Sequence, residues 1–157
     1  MGKKFGFTLI ELLIVIAILG SVALFGLSSF NASKKKARDL ERKSSLNQIK
    51  TALQLYYNIY GLYPAHDDGN KIVGCGDDPE AATSCEWDSE WSLETNVFMK
   101  RLPADPVAPT QSYLYTQISN ENYYLIANLE VADDPDIAES QALCGVDSGV
   151  QYVVCED

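Results

Sequence analysis

The fold is decided near the N-terminus, by the stretch GFTLIE at residues 6–11 and the apolar run that continues from it to Phe30. Residues 7–30 would form about 36 Å of α-helix, which is long enough to cross a bilayer. Glu11 is the single charged residue in this run, and a carboxylate in the hydrocarbon core costs at least about 2.5–3.5 kcal/mol. This cost predicts that Glu11 has a partner and a task, and it argues against an ordinary signal anchor that merely tolerates a glutamate.

Residues 1–6 form a short basic leader that contains Lys3 and Lys4 and ends at Gly6. An ordinary secretory signal carries its small-residue cleavage site after the apolar region and therefore loses that region. Here the small residue lies before the apolar region, so a cut after Gly6 would leave the apolar helix in the mature protein. The two lysines predict a cytoplasmic N-terminus, with the rest of the chain on the outer side.

These residues resemble the class III leader of type IV prepilins and pseudopilins, in which a basic peptide ending in glycine precedes Phe and a helix with Glu as its fifth residue. In that family a membrane peptidase cuts after the glycine and methylates the new amine. The resemblance therefore implies cleavage between Gly6 and Phe7 and N-methylation of Phe7. It also implies that Glu11 pairs with the methylated amine of Phe7 on an adjacent subunit and sets the axial register of a filament.

Charge divides the chain into two unlike parts. Residues 1–50 carry nine Lys and Arg and three Asp and Glu, whereas residues 51–157 carry three basic and 19 acidic residues. A nucleic-acid-binding domain needs a basic face, so no nucleic-acid partner is predicted. A basic cluster that follows the apolar run predicts a solvated helix face or a pairing surface for acidic neighbours. Its members are Lys34, Lys35, Lys36, Arg38, Arg42 and Lys43.

Residues 31–60 are predicted to be the amphipathic half of the same helix. An apolar stripe recurs there at spacings of three and four, the period of one helix face. Its members are Leu46, Ile49, Leu53, Tyr56 and Tyr60. Gly61 and Pro64 then predict the end of the helix. One helix over residues 7–60 would thus have an apolar transmembrane half and a half that packs in a head domain.

Residues 61–157 are predicted to form an α+β head with a small antiparallel sheet. Residues 112–116 and 123–129 are rich in aromatic and branched side chains and predict a hairpin, and residues 150–154 predict a third strand. Within the head, the predicted order is a loop over 61–105, a β-sheet over 110–130 and a C-terminal loop over 131–157. A sheet laid over the stripe of the long helix would bury enough apolar surface to be stable.

Several head segments are similar to the major pseudopilin of type II secretion, which has an Ala-Leu…Tyr…Gly-x-Tyr-Pro segment, a Leu-Pro-x-Asp-Pro motif and a Tyr-x-Tyr strand. The matching residues here are 52–53, 61–64, 102–106 and 113–115. The similarity implies the pilin fold, in which a small antiparallel sheet packs on a long N-terminal helix. Two prolines in Leu-Pro-x-Asp-Pro fix φ, so this motif predicts a rigid turn in which Asp105 bonds nearby backbone amides.

The four cysteines predict disulfides, because an even number on the outer side of a membrane favours oxidation and their spacings do not suit zinc. They are Cys75, Cys85, Cys144 and Cys155, and they allow three pairings. We favour Cys75 with Cys85 and Cys144 with Cys155, since each pair encloses a loop with turn signals. In many type IV pilins a disulfide likewise closes a C-terminal loop.

An acidic group follows the second predicted strand and offers carboxylate oxygens of the kind that calcium binds. It consists of Asp133, Asp134, Asp136 and Glu139. The alternative is a solvated acidic loop with Pro135 in a turn, and this alternative is favoured. No cofactor is required by the sequence, and calcium is the one ion that it suggests.

No catalytic constellation is found in the sequence, which has one His and no nucleophile or phosphate-binding motif. The chain is therefore expected to be a structural subunit of a type IV pilus-like filament or a type II secretion pseudopilus, and not an enzyme. The alternative is a minor tip pilin that acts in adhesion or DNA uptake. The resemblance implies a single-pass inner-membrane precursor, held in lipid, whose head is periplasmic or extracellular. It also implies a prepilin peptidase, an assembly platform with its ATPase, and other copies of the chain as partners.

Overall fold

The computed structural model describes residues 6–156, without the side chains of residues 22–29. The chain divides into two compact units, the first ending at Ala37 and the second beginning at Arg38. One helix, α1, Leu9–Tyr60, runs through both units. The single helix predicted over residues 7–60 is therefore confirmed, except that it begins two residues later, at Leu9.

In the first unit, the described large apolar side chains of α1 are exposed. Their exposed fractions run from 44% at Val15 to 82% at Leu9. A lone helix buries nothing against itself, so this surface needs lipid or other helices to cover it. Among the residues whose structure is described, no helix combines the length and the hydropathy of a membrane span.

The second unit contains the remaining elements, which form three antiparallel sheets of three, two and three strands. In chain order they are β1 (Ala65–His66), β2 (Ile72–Cys75), a short 3₁₀ helix (Pro79–Ala81), β3 (Thr83–Ser84), β4 (Trp91–Leu93), β5 (Asn96–Met99), β6 (Leu114–Ser119), β7 (Asn122–Asn128), α2 (Pro135–Cys144) and β8 (Gln151–Cys155). The sheet orders are β1-β2-β3, β4-β5 and β6-β7-β8.

The predicted hairpin and third strand are confirmed as the sheet β6-β7-β8. Register pairs Tyr115 with Leu125 in the hairpin and Ile126 with Val153 across β7 and β8. The hairpin turn is tighter than predicted, because β6 continues to Ser119 and pairs it directly with Asn122. Alternate residues of β7 are buried, which is the period-2 pattern of a sheet with one covered face.

The apolar stripe of α1 lies in the core of the second unit, as predicted. Leu46, Ile49 and Leu53 are fully buried, Tyr56 is nearly so and Tyr60 packs at the margin. The same core contains the inward side chains of the strands. Among them are Ile72, Trp91, Leu93, Phe98, Tyr115, Tyr123, Leu125 and Val154. Helix α1 ends where the sequence predicts, since Gly61 adopts a left-handed φ of 72° and donates its N–H to Tyr57.

An aromatic contact joins α1 to the two-stranded sheet. The Tyr56 ring lies 5.2 Å from that of Phe98 and 6.0 Å from that of Trp91. Trp91 Nε1 donates a hydrogen bond of 3.0 Å to the carbonyl of Gly74. A Cβ at Gly74 would come within 3.2 Å of the Tyr56 ring, so a glycine permits this close approach.

The predicted loop over residues 61–105 is wrong in its secondary structure, because it contains β1 to β5. These strands are two to four residues long, too short to show a hydrophobic period in the sequence. Trp91 and Leu93 nevertheless anchor β4 in the core, with no measurable exposure. The segment is therefore an ordered part of the head rather than a loop laid over it.

The predicted C-terminal loop over residues 131–157 is also wrong in its first half, where α2 forms. Asp134 is its N-cap and accepts the N–H of Asp136, Pro135 occupies the first turn and Gly145 closes the helix at φ 67°. These are ordinary start and stop signals, and they were present in the sequence. The acidic residues also suit a turn or a calcium loop, the two structures predicted for them, so the cap was not predicted.

Both disulfides lie in the second unit. Cys75 is joined to Cys85 with a Cα–Cα distance of 5.3 Å, and Cys144 is joined to Cys155 at 5.8 Å. These are the two pairings that the sequence favours. The second bond ties the last residue of α2 to the last residue of β8, so it closes the C-terminal segment on itself.

Candidate functional site

The N-terminal residues Gly6 and Phe7 precede α1 and are exposed. Phe7 exposes 81% of its surface, and a Cβ placed on Gly6 would meet nothing within 4 Å. Within the described residues, nothing therefore packs against the Gly6–Phe7 segment. The structure places the predicted cleavage residues together, just ahead of the first helical turn.

Glu11 is held by Thr8 in a capping box at the start of α1. The Glu11 carboxylate accepts the backbone N–H of Thr8 at 2.9 Å and its hydroxyl at 2.6 Å. The Thr8 hydroxyl oxygen in turn accepts the N–H of Glu11 at 3.3 Å. A Thr-x-x-Glu sequence is the usual form of this motif, so the spacing of Thr8 and Glu11 could have predicted it.

The capping box gives Glu11 an intramolecular partner that the sequence analysis missed. It orients the carboxylate toward the chain end, next to Phe7, and satisfies two donors of the helix N-terminus. A carboxylate near a helix N-terminus is also favoured by the helix dipole. The arrangement thus fixes the Glu11 carboxylate at the start of α1, one residue from the predicted cleavage product's N-terminal Phe7 through its contact with Thr8.

A buried ion-pair cluster, centred on Arg42, is the main polar feature of the second unit. Arg42 forms a bidentate pair with Asp105, with atoms 2.8 and 3.1 Å apart. Its Nη1 also donates to Asp39 at 2.6 Å and to Glu130 at 3.0 Å. The Arg42 side chain has no exposed surface. Of the two roles predicted for the basic cluster, a solvated face or a pairing surface, Arg42 therefore has the second.

The carboxylates of the Arg42 cluster also bind backbone amides. Asp39 accepts the N–H groups of Glu130 and Val131, just after β7. Asp105 accepts the N–H of Val107, which confirms the predicted turn contact of the Leu-Pro-x-Asp-Pro motif. The cluster therefore fastens two separate loops to one turn of α1. The sequence analysis missed the link from Asp105 to the helix, because sixty-three positions separate it from Arg42.

Ion pairing in the Arg42 cluster favours the charged forms of Arg42 and Glu130. Burial lowers the pKa of Arg42, but its hydrogen bonds to Asp105, Glu130 and Asp39 raise that pKa further, to above its ordinary value. At the edge of the cluster, the hydrogen bond from Arg38, with a smaller contribution from Arg42, lowers the pKa of Glu130 to about 2. Both groups are therefore charged at neutral pH.

The depressed pKa of Glu130 predicts a pH dependence of stability. The stabilising contribution of the ionised Glu130 carboxylate is complete above pH 4.5, which is its ordinary pKa. This contribution is lost as the pH falls toward its folded-state pKa of about 2. Glu130→Gln should lower the free energy of unfolding by up to about 3 kcal/mol at pH 7, and the difference from wild type should narrow below pH 4.5. Urea unfolding of both proteins at pH 7, 4.5 and 3 measures this. A difference that stays constant with pH would contradict it.

The acidic group predicted as a calcium candidate surrounds a lysine instead. Lys43 Nζ lies 2.6 Å from Asp134 and 2.7 Å from Asp136. Asp133 and Glu139 are exposed beside them. Within residues 6–156, no three His, Cys, Asp or Glu side chains converge in a way that would hold a metal ion. Calcium binding stays a prediction. The alternative, a solvated acidic loop with Pro135 in a turn, does not describe the segment either, because Pro135 begins α2 and two of the four carboxylates pair with Lys43.

Comparison with known proteins agrees with the N-terminal geometry. Residues 1–27 match the family described as the prokaryotic N-terminal methylation motif. The chain is 30% identical to the type II secretion system core protein G of Vibrio cholerae over 115 residues, which is 73% of each chain. It is 31% identical to the protein of that name in Escherichia coli K12 over 66% of this chain and 67% of the relative. It is 30% identical to the protein of that name in Aeromonas hydrophila, over 66% of this chain and 68% of the relative. No solved structure matches the chain significantly.

Proposed function

Since the chain belongs to the family of the type II secretion system core protein G, we propose that it is a structural subunit of a pseudopilus, the filament of type II secretion. The observation that carries this proposal is the exposed pair Gly6 and Phe7 ahead of a capped helix, within a match to the N-terminal methylation motif. The similarity extends well beyond the motif into the head, which separates this interpretation from a leader attached to an unrelated domain.

The subunit is stored in the inner membrane before assembly. The described large apolar side chains of α1 in the first unit are exposed, and lipid is a solvent that can cover such a surface. Lys3 and Lys4 keep the leader in the cytoplasm, and the acidic head lies in the periplasm. A prepilin peptidase then removes residues 1–6 and methylates the amine of Phe7.

Assembly exchanges lipid for other copies of the same helix. The apolar segments bundle in the core of the filament, and the heads form its outer layer. Glu11 pairs in that core with the methylated amine of Phe7 on a neighbouring copy. Buried ion pairs specify an arrangement better than they stabilise it, so this pair sets the axial register. An assembly platform and its ATPase supply the work of extraction from the membrane.

The role is structural and not enzymatic. The buried polar groups of the second unit, such as Arg42 and Asp105, are engaged in pairs that fix the fold. A minor tip pilin acting in adhesion or DNA uptake is not favoured, because the relatives carry the name of a core secretion protein.

Processing at Gly6 tests this function directly. Mass spectrometry of the protein from filament-forming cells is expected to show the loss of residues 1–6 and one added methyl group on Phe7. Gly6→Leu should leave the full-length precursor in the membrane fraction, because the bulky side chain occupies the cleavage position. Gly20→Leu, a matched change in the apolar segment itself, should be processed normally. An intact N-terminus in assembled filaments would refute the proposal.

A further inference from the structure

Three consecutive lysines follow the apolar segment within two helical turns of Phe30. We call Lys34, Lys35 and Lys36 the lysine collar. All three are exposed, and within the described residues none of them forms an ion pair with an acidic side chain. The other basic residues of the cluster behave differently, since Arg38, Arg42 and Lys43 are each bound by carboxylates of the head.

The geometry of the collar is that of a partial ring. Successive residues of an α-helix are 100° apart, so three in a row spread their side chains over about 200° of its circumference. A protein surface approaching from one direction would face only part of such an arc. A shell of small anionic groups standing around the helix would reach all three ammonium groups.

Lys34 is directed back toward the apolar segment. Its Nζ lies 4.5 Å from the centroid of the Phe30 ring, one turn earlier in α1. Phe30 itself is 57% exposed, so the ring and the ammonium group together form an outward-facing surface. An aromatic ring with a cation above it is the arrangement expected at the boundary between hydrocarbon and lipid headgroups.

The position of the collar is also opposite to the usual distribution of basic residues in membrane proteins. Basic residues normally collect on the cytoplasmic side of a span, whereas these lie at the opposite end from Lys3 and Lys4. Positive charge in this position is unfavourable for insertion unless something on the outer side offsets it. Anionic phospholipids attract basic residues next to a span, and they are present before any neighbouring subunit is.

We propose that the lysine collar binds the phosphate groups of anionic phospholipids around α1 while the subunit is stored in the membrane. This inference rests on the proposed function, because it requires residues 7–30 to be inserted in the bilayer. The lipid-bound state ends on extraction, when the apolar segment leaves the bilayer. The collar would thus hold the subunit at a fixed depth and bias the lipid composition around it.

Native mass spectrometry of the whole chain after removal of residues 1–6 tests the proposal. The protein is inserted in nanodiscs of equal phosphatidylcholine and phosphatidylglycerol, and the lipids that remain bound on release are counted. Wild type is expected to retain phosphatidylglycerol over phosphatidylcholine by at least about fivefold, the factor that one lysine near an anionic surface supplies. The triple variant Lys34→Gln, Lys35→Gln and Lys36→Gln should retain the two lipids equally.

A matched control removes the same charge from the head. Lys71, Lys100 and Arg101 are basic residues of the second unit, and the ion pairs that two of them form lie at the surface. Their triple replacement by glutamine should keep the wild-type lipid preference. If it also loses that preference, the net charge of the chain is responsible and the collar proposal is wrong.

Two further outcomes would overturn the proposal. A collar variant with an unchanged lipid ratio but a lost filament yield would show that the collar binds an acidic face of another copy. A wild-type chain that inserts but retains both lipids equally would refute the collar and leave the proposed function intact. A chain that fails to insert at all would instead contradict the proposed function.

Discussion

Replacing Glu11 with alanine is expected to abolish filament assembly while the precursor is still cut after Gly6 and inserted in the membrane. The change removes a charge from the apolar segment, so insertion should be unaffected or improved. Assembly should fail because the amine of Phe7 in the neighbouring copy would be left unpaired in an apolar core. Losing one partner of a buried pair costs about 3–5 kcal/mol, which corresponds to more than a hundredfold in an equilibrium constant.

The measurement is the yield of sheared filaments relative to the total subunit in the membrane fraction. Glu11→Gln keeps the shape and can still accept a hydrogen bond from Thr8, so its defect should be similar or milder. Glu41→Ala is the matched control, since Glu41 is an exposed glutamate of α1 within the head and should not affect yield. Normal filament yield from Glu11→Ala would mean that the carboxylate only caps the helix.

Replacing Arg42 with methionine is expected to destabilise the head by about 3–5 kcal/mol. Methionine retains the length of the side chain but removes the guanidinium that neutralises Asp39 and Asp105, both of which are buried. Two carboxylates would then face each other without a cation in a region of low dielectric constant. This loss would remove much or all of the free energy of unfolding of a domain of this size.

Urea unfolding of the full chain in detergent measures the effect, and the fluorescence of Trp87 and Trp91 reports on the head. Arg101→Met is the control, because its pair with Asp88 is exposed and should contribute no more than about 1 kcal/mol. If the two variants unfold at similar urea concentrations, the Arg42 cluster is not a stabilising element of the head.

The sequence predicts the helix and its two faces well, because these follow from long periodic patterns. The stripe from Leu46 to Tyr56 repeats over three turns, and Gly61 and Pro64 mark the end of α1 clearly. The hairpin of β6 and β7 has enough alternating residues to be recognised. At the N-terminus, Gly6, Phe7 and Glu11 stand at fixed spacings, so the amino-acid sequence is sufficient to identify the motif.

The parts that were missed depend on contacts between distant residues or on very short elements. Strands β1 to β5 are held by the burial of Trp91 and Leu93 and by a disulfide, none of which produces a local pattern. The Arg42 cluster joins three segments, and charged residues give no signal of burial in a sequence. Helix α2 is a different case, since the sequence contains its capping residues Asp134 and Gly145, but a loop was predicted there.

If the subunit is extracted from a bilayer, as proposed above, the Arg42 cluster has a mechanical consequence. Apolar contacts are nondirectional, so the stripe of α1 alone would offer little resistance to sliding by one turn along the head. The bidentate pair with Asp105 has a fixed geometry, and Asp39 holds the backbone after β7 in the same turn of helix. Tension along α1 would therefore load these bonds in shear, and the helix and the head would move as one piece under that force.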